Sequence, residues 1–163
     1  LVLSKSTVHK DITDEEQTIH FRDPKLKTVA LGKDTGIHEM LAGDKVTVTD
    51  TVKMTGLIVG EKVTLTGSMV DKETGKPIVI DGKEIVVKKK FTADNTSGSV
   101  DIQFTFDGTT LKGKEVVVFE DCFYKDKLIA VHADITDEDQ TIWLPEIGTT
   151  AKEYQYQCRY QNA

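Results

Sequence analysis

The run Val46-Thr47-Val48-Thr49-Asp50-Thr51-Val52 alternates apolar and polar side chains. Successive side chains of an extended backbone point to opposite faces, so this reads as a strand with one buried and one wet face, ended by Asp50. The same period returns at Val63, Leu65 and Met69, set between Thr64, Thr66 and Ser68, and at Val100, Ile102, Phe104 and Phe106. Val116-Val117-Val118-Phe119 is apolar throughout and reads as a strand buried on both faces. Turn chemistry separates these runs at Gly43-Asp44, Val59-Gly60-Glu61, Lys72-Glu73-Thr74-Gly75, Asp81-Gly82 and Asn95 to Gly98. No helical period links them, and only Gly108 to Gly113 suits a brief helical turn. The pattern predicts an all-β chain, an antiparallel immunoglobulin-like β-sandwich.

With 163 residues, 38% hydrophobic and 29% charged, the chain can bury the core of one ordinary domain. Its net charge of −6 is spread among interleaved acids and bases, which argues against a nucleic-acid partner. The one basic run, Lys88-Lys89-Lys90, reads as an edge strand, because lysines discourage edge-to-edge pairing. No apolar stretch approaches membrane-spanning length and no leader is evident, so no membrane contact is expected. Cys122 and Cys158 make no disulfide framework. Asn95-Thr96-Ser97 matches a glycosylation sequon, a pattern too short to carry weight.

His9 to Ile19 returns as His132 to Ile142, identical at nine of eleven positions. A weaker echo pairs Leu26 to Ala30 with Ile147 to Ala151. The markers Gln17/Gln140 and Thr28/Thr149 give spacings of 123 and 121 residues, one period of a tandem array. The division predicted is residues 1–20 as the end of a preceding repeat, 21–27 as a linker, 28–144 as a full module, and 145–163 as a linker, the next start and a tail. Leu144-Pro145-Glu146-Ile147-Gly148 departs from a sortase sorting signal at its fourth position and reads as linker. Neighbouring repeats are then the expected partners, and the chain is expected to be a monomer.

The Thr28 strand opens the module and the Gln140 strand closes it, and first and last strands of a sandwich can lie side by side. Glu120 continues the most apolar run, where a buried carboxyl would have a raised pKa. Asp50 and His132 complete the candidates. Taken singly, His132 also fits a hydrogen-bonded strand histidine, Asp50 a turn residue, and Glu120 a carboxylate reaching solvent. Asp134, Asp137 and Glu138 fit loop capping and solubility. No cofactor is expected; an alternative has Asp134, Asp137 and Asp139 gather a Ca²⁺ ion, although the regular loop spacing and glycine are missing.

Val116 to Glu120, the His-x-Asp-x-x-Asp-x-x-x-Thr-Ile frame around Gln140, Asp50-Thr51-Val52 followed by Thr55-Gly56-Leu57, and Thr28-x-Ala30 stand in one order. Together they resemble the Thr-Gln ester-bond domains, or VaFE repeats, of Gram-positive surface adhesins, over residues 28–144. The resemblance implies an autocatalytic reaction in which the Thr28 hydroxyl attacks the Gln140 side-chain amide and ammonia leaves. It implies His132 as base, and Asp50 and Glu120 sharing one proton to stabilise the oxyanion on the Gln140 carbonyl. Trp143, Phe119 and Phe123 are expected to cover the ester. Met54 and Cys122 stand where relatives often carry an aromatic residue and leucine, changes expected to alter packing more than chemistry. Gln17 and Thr149 lack partners and are expected to stay unreacted. The implied role is a secreted, cell-wall-anchored, cell-surface stalk module, not a turnover enzyme. The alternatives are an Ig-like ligand-binding module without a cross-link, or a Lys-Asn isopeptide domain.

Overall fold

The computed structural model describes residues 8–19 and 21–146. The strands in chain order are β1 (Lys25–Gly32), β2 (Val46–Thr55), β3 (Lys62–Asp71), β4 (Val79–Ile80), β5 (Lys83–Glu84), β6 (Val86–Thr92), β7 (Ser97–Phe106), β8 (Lys114–Tyr124), β9 (Lys127–His132) and β10 (Thr141–Leu144). One sheet runs β1-β2-β7 and the other β10-β8-β3-β6, with β9 also on β8; every strand pair is antiparallel. The all-β antiparallel expectation holds.

Alternation places the core. Val46, Val48, Val52 and Met54 of β2 and Ile102, Phe104 and Phe106 of β7 face Val63, Leu65 and Met69 of β3 and Val116, Val118 and Cys122 of β8. Val116, Val117 and Val118 are all buried, as the continuous apolar run requires. β6 ends its sheet, and Lys89 crosses the open side to donate to the Asp101 carbonyl of β7 at 2.9 Å. A lysine so placed blocks further pairing at that edge. Asp81 and Gly82, both at positive φ, close the β4–β5 hairpin in the mirror-image turn that this dipeptide favours.

Two expectations are corrected. A 3₁₀ turn forms at Thr109–Leu111, but others lie at Glu15–Gln17 and Glu138–Gln140, and the last of these, not a strand, carries Gln140. β1 and β10 are not paired side by side: β1 bonds to β2, and β10 to β8 in the opposite sheet. Each is at an edge of its own sheet, and β1 packs across the gap on β9, β10 and the Glu138–Gln140 turn.

β8 explains how that turn reaches inward. One side of β8 pairs with β3 along its length, while the other is shared, β10 taking Lys114 to Val117 and β9 taking Glu120 to Tyr124. The chain leaves β8 after His132 and rejoins it at Thr141, opposite Val117. Gln140 arrives one residue earlier, at the interval between the two strands, and is fully buried.

Candidate functional site

Directly paired strand residues share a face. Ala30, Asp50 and Ile102 form one inward row across β1, β2 and β7, with Thr28 and Val52 in the next. Gly67, Glu120 and His132 form the facing row across β3, β8 and β9. Asp50 and Glu120 thus lie in mid-strand, on the core-facing side, and not at strand ends or in a turn. Thr28, Asp50, Glu120 and Gln140 are all buried, whereas the His132 side chain is 21% exposed.

The Thr28 hydroxyl donates to Glu120 Oε2 at 3.4 Å, and Gln140 Nε2 donates to Asp50 Oδ1 at 3.4 Å. The two carboxyls lie near enough for each to shift the proton affinity of the other. Glu120 Oε1, Asp50 Oδ2 and Gln140 Oε1 are buried without a protein donor. Two neighbouring buried carboxyls cannot both stay ionised, so one of them holds a proton, which supplies a donor that the unpartnered oxygens otherwise lack. Burial, then the neighbouring Asp50 charge, pushes the Glu120 carboxyl up to about 10. Burial also raises Asp50, opposed by Glu120 and by its bond to Gln140. Glu120 therefore holds the proton at neutral pH.

His132 Nε2 meets Asp137 Oδ2 at 2.8 Å. An ionised Asp137 makes Nε2 the donor and leaves Nδ1 with the lone pair, the form a base requires. The partner of the Thr28 hydroxyl is Glu120, with His132 beside Glu120 in register. The Gln140 amide presents its nitrogen to Asp50, leaving the oxygen unpartnered, the reverse of the expected contact between carboxyl and carbonyl.

Asp137 is the residue that sequence reasoning assigned to loop capping and solubility, or to a Ca²⁺ site, and not to the reaction. It does cap the 3₁₀ turn, its Oδ1 accepting from Asp139 N at 2.9 Å. Its other oxygen orients His132, and its carbonyl accepts from Gln140 N and the Thr141 hydroxyl. The signal was present in the repeat. In the upstream copy His9 meets Asp14 at 2.5 Å, Glu16 N bonds Asp14 Oδ1 at 2.9 Å and the Thr18 hydroxyl bonds the Asp14 carbonyl at 2.8 Å. Both copies make the same turn, but Gln17 is exposed where Gln140 is buried. Lys72 fastens the second copy to the sandwich through Glu138 at 2.9 Å.

The expected aromatic cover is corrected. Ile142 and Leu144 face the core, so Trp143 between them points outward and is 46% exposed. Phe119 and Phe123 alternate with Glu120 and are only half-buried, on the opposite face of β8. Ala30 and Ile102 flank Asp50, Val118 and Cys122 bracket Glu120, and Phe104 fills the space over Gly67. Met54 and Cys122 are both buried. Asp134 Oδ1 is occupied by Thr136 N and its hydroxyl, and no metal-holding group of His, Cys, Asp or Glu gathers among the described residues. A groove of about 580 Å³ lined by Lys62, Lys90, Tyr124 and Lys125 contains none of the five candidates. Thr149, Cys158 and the tail 153–163 lie outside the described residues.

No curated protein matches the chain. Two crystal forms of a bacterial adhesin from Mobiluncus mulieris, described as containing intramolecular disulfide, isopeptide and ester-bond cross-links, share its fold, with TM-scores of 0.65 and 0.64 at 14% identity. Each alignment covers 78% of this chain and 59% of the adhesin chain, so the chain spans less than two thirds of that protein. The family model described as a T-Q ester bond containing domain matches residues 24–144. With strands, order and polar cluster all in place, the chain belongs to the T-Q ester bond domain family.

Proposed function

We propose that residues 28–144 are a self-cross-linking stalk module of a bacterial surface adhesin, closed by an ester between Thr28 and Gln140. One observation supports this reading: nucleophile and amide are each bonded to one of two neighbouring buried carboxyls, one of which is raised in pKa to about 10. Thr28 Oγ1 attacks Gln140 Cδ as the hydroxyl proton passes to His132, whose form Asp137 sets. The C–O bond forms, and the oxyanion is stabilised by the protonated carboxyl once the amide has turned its oxygen toward the pair. The C–N bond then breaks as nitrogen takes up the proton, releasing ammonia. The fold supplies proximity, for which oriented intramolecular pairs reach effective molarities of about 10⁵ M or more. The nucleophile is consumed, so this is one turnover per chain.

A bond between residues 112 positions apart removes unfolded-state entropy; by analogy with a disulfide it contributes about 4 to 5 kcal/mol. It also carries tension directly between the first strand and the turn before the last. That suits a spacer on a Gram-positive cell wall, and the cross-linked adhesin of the same fold supports the setting. Intact mass spectrometry tests the proposal: the folded chain weighs one ammonia less than its sequence, Thr28→Ala shows the full mass, and hydroxylamine opens the bond. An unmodified mass favours the ligand-binding alternative, and a hydroxylamine-resistant loss favours an isopeptide.

A further inference from the structure

We propose that Gly56, Glu61 and Tyr124 form a seat for the chain arriving from a preceding repeat, so that successive modules meet at a stiff joint. The proposal rests on the tandem-repeat reading. The spacing between Gln17 and Gln140 places Ile19 and Phe21 in the positions of Ile142 and Leu144. Ile142 and Leu144 are fully buried in this module, while Ile19 is 80% and Phe21 97% exposed. Side chains of core type left bare belong to a core that the preceding unit supplies.

The very next residue is already held by this module. Arg22 Nη1 donates to Glu61 Oε2 at 2.5 Å, and its guanidinium lies over the Tyr124 ring, 5.6 Å from the centroid. Glu61 is buried, and the same oxygen accepts from Ile58 N at 3.0 Å, which fixes the carboxylate. Burial opposes its charge, but the Arg22 and Ile58 donors outweigh burial and keep Glu61 below the usual carboxylate range. Lys125 Nζ also lies near the Tyr124 ring, 5.1 Å from its centroid. A charge-assisted bond that is partly buried and stacked on a ring is stronger than an exposed ion pair.

Gly56 completes the seat. Its φ is 74°, and a Cβ there would lie 3.1 Å from Pro24 Cα and 3.2 Å from the Asp23 carbonyl oxygen. The incoming backbone therefore passes against Gly56, and β1 starts one residue later, at Lys25. A flexible linker needs several free residues between anchored ends. Here none separates Phe21, owed to one core, from Arg22, tied to the next.

Limited trypsin digestion of the 163-residue chain tests this, because Arg22-Asp23 and Lys10-Asp11 offer the same residue after the cut. The Lys10 bond, in the exposed upstream turn, serves as the reference. Cleavage after Arg22 is expected to be at least about tenfold slower than after Lys10. Glu61→Gln keeps the Ile58 bond but removes the ion pair, and should raise cleavage after Arg22 by about tenfold with Lys10 unchanged. Gly56→Ala should do the same without altering a charge, and amide ¹⁵N relaxation of Arg22 and Asp23 should match β1 only in the wild type. Equal cleavage at the two sites in the wild type, or an unchanged slow rate in Glu61→Gln, overturns the proposal. Intact mass reads the ester separately: a full mass would sink the cross-link and leave the joint standing.

Discussion

Gly67 and Phe104 share one volume across the sandwich: a Cβ on Gly67 of β3 would stand 2.6 Å from Phe104 Cζ of β7. Gly67 is paired directly with Glu120, so the ring that takes the missing side chain's place lies on the flank of the buried carboxyl. Glycine weakens a strand interior, and its presence there marks a close approach that the structure needs.

Gly67→Ala should therefore cost about 1 to 3 kcal/mol by overpacking. Urea denaturation in the Thr28→Ala background, where no cross-link masks the loss, checks this. A change below about 0.5 kcal/mol would show that Phe104 yields freely.

Glu120→Gln keeps the shape and removes the acidic proton. Ester formation, followed as ammonia loss by intact mass, is expected to slow by about 10²-fold or more. Circular dichroism should show the sheet intact, since a neutral isostere suits a buried position that already favours the neutral form.

Asp137→Asn separates orientation from capping, because asparagine also caps well. The 3₁₀ turn should survive while the reaction slows by about tenfold or more, from loss of the charge that sets His132. Asp137→Ala should add about 1 kcal/mol of destabilisation through the lost cap. Equal reaction rates for wild type and Asp137→Asn would remove Asp137 from the chemistry.

Glu120 also predicts how stability follows pH. Its folded pKa is raised to about 10 from an ordinary 4.5, and Asp50 is raised as well, so the fold binds protons more tightly than the unfolded chain. That contribution is complete below about pH 4.5 and is lost as pH rises toward 10. The Thr28→Ala variant should be less stable at pH 8 than at pH 5.5, by on the order of 2 kcal/mol in urea denaturation. Asp71 and Glu61 are shifted downward, so they act below this window and do not reverse the sign.

The strands were legible because period-2 alternation is imposed by burying one face, and Val46 to Val52 and Val100 to Phe106 show it openly. Asp50 and Glu120 were legible as candidates, yet Asp50 was misplaced at a strand end: a carboxylate on a core face breaks the hydrophobic pattern that marks a strand's extent. Gln140 was assigned to a strand because a three-residue turn leaves almost no periodic trace. Trp143 could have been read correctly, since Ile142 and Leu144 take the inward phase on either side. Asp137 was hidden by its second task, because a capping aspartate and an orienting aspartate look alike in sequence. The pairing of β1 with β2, and of β10 with β8, depends on long-range contacts that alternation does not encode.

Asp50 comes from one sheet and Glu120 from the other, and neither carries its raised proton affinity alone. A half-assembled chain, with either sheet formed and the other still loose, holds only a solvated, ionised carboxylate that cannot serve as an acid. The proposed chemistry thus waits for docking. The proposed ester would then act as a seal of completion, written only after the fold has proved itself and unable to lock a wrong arrangement in place.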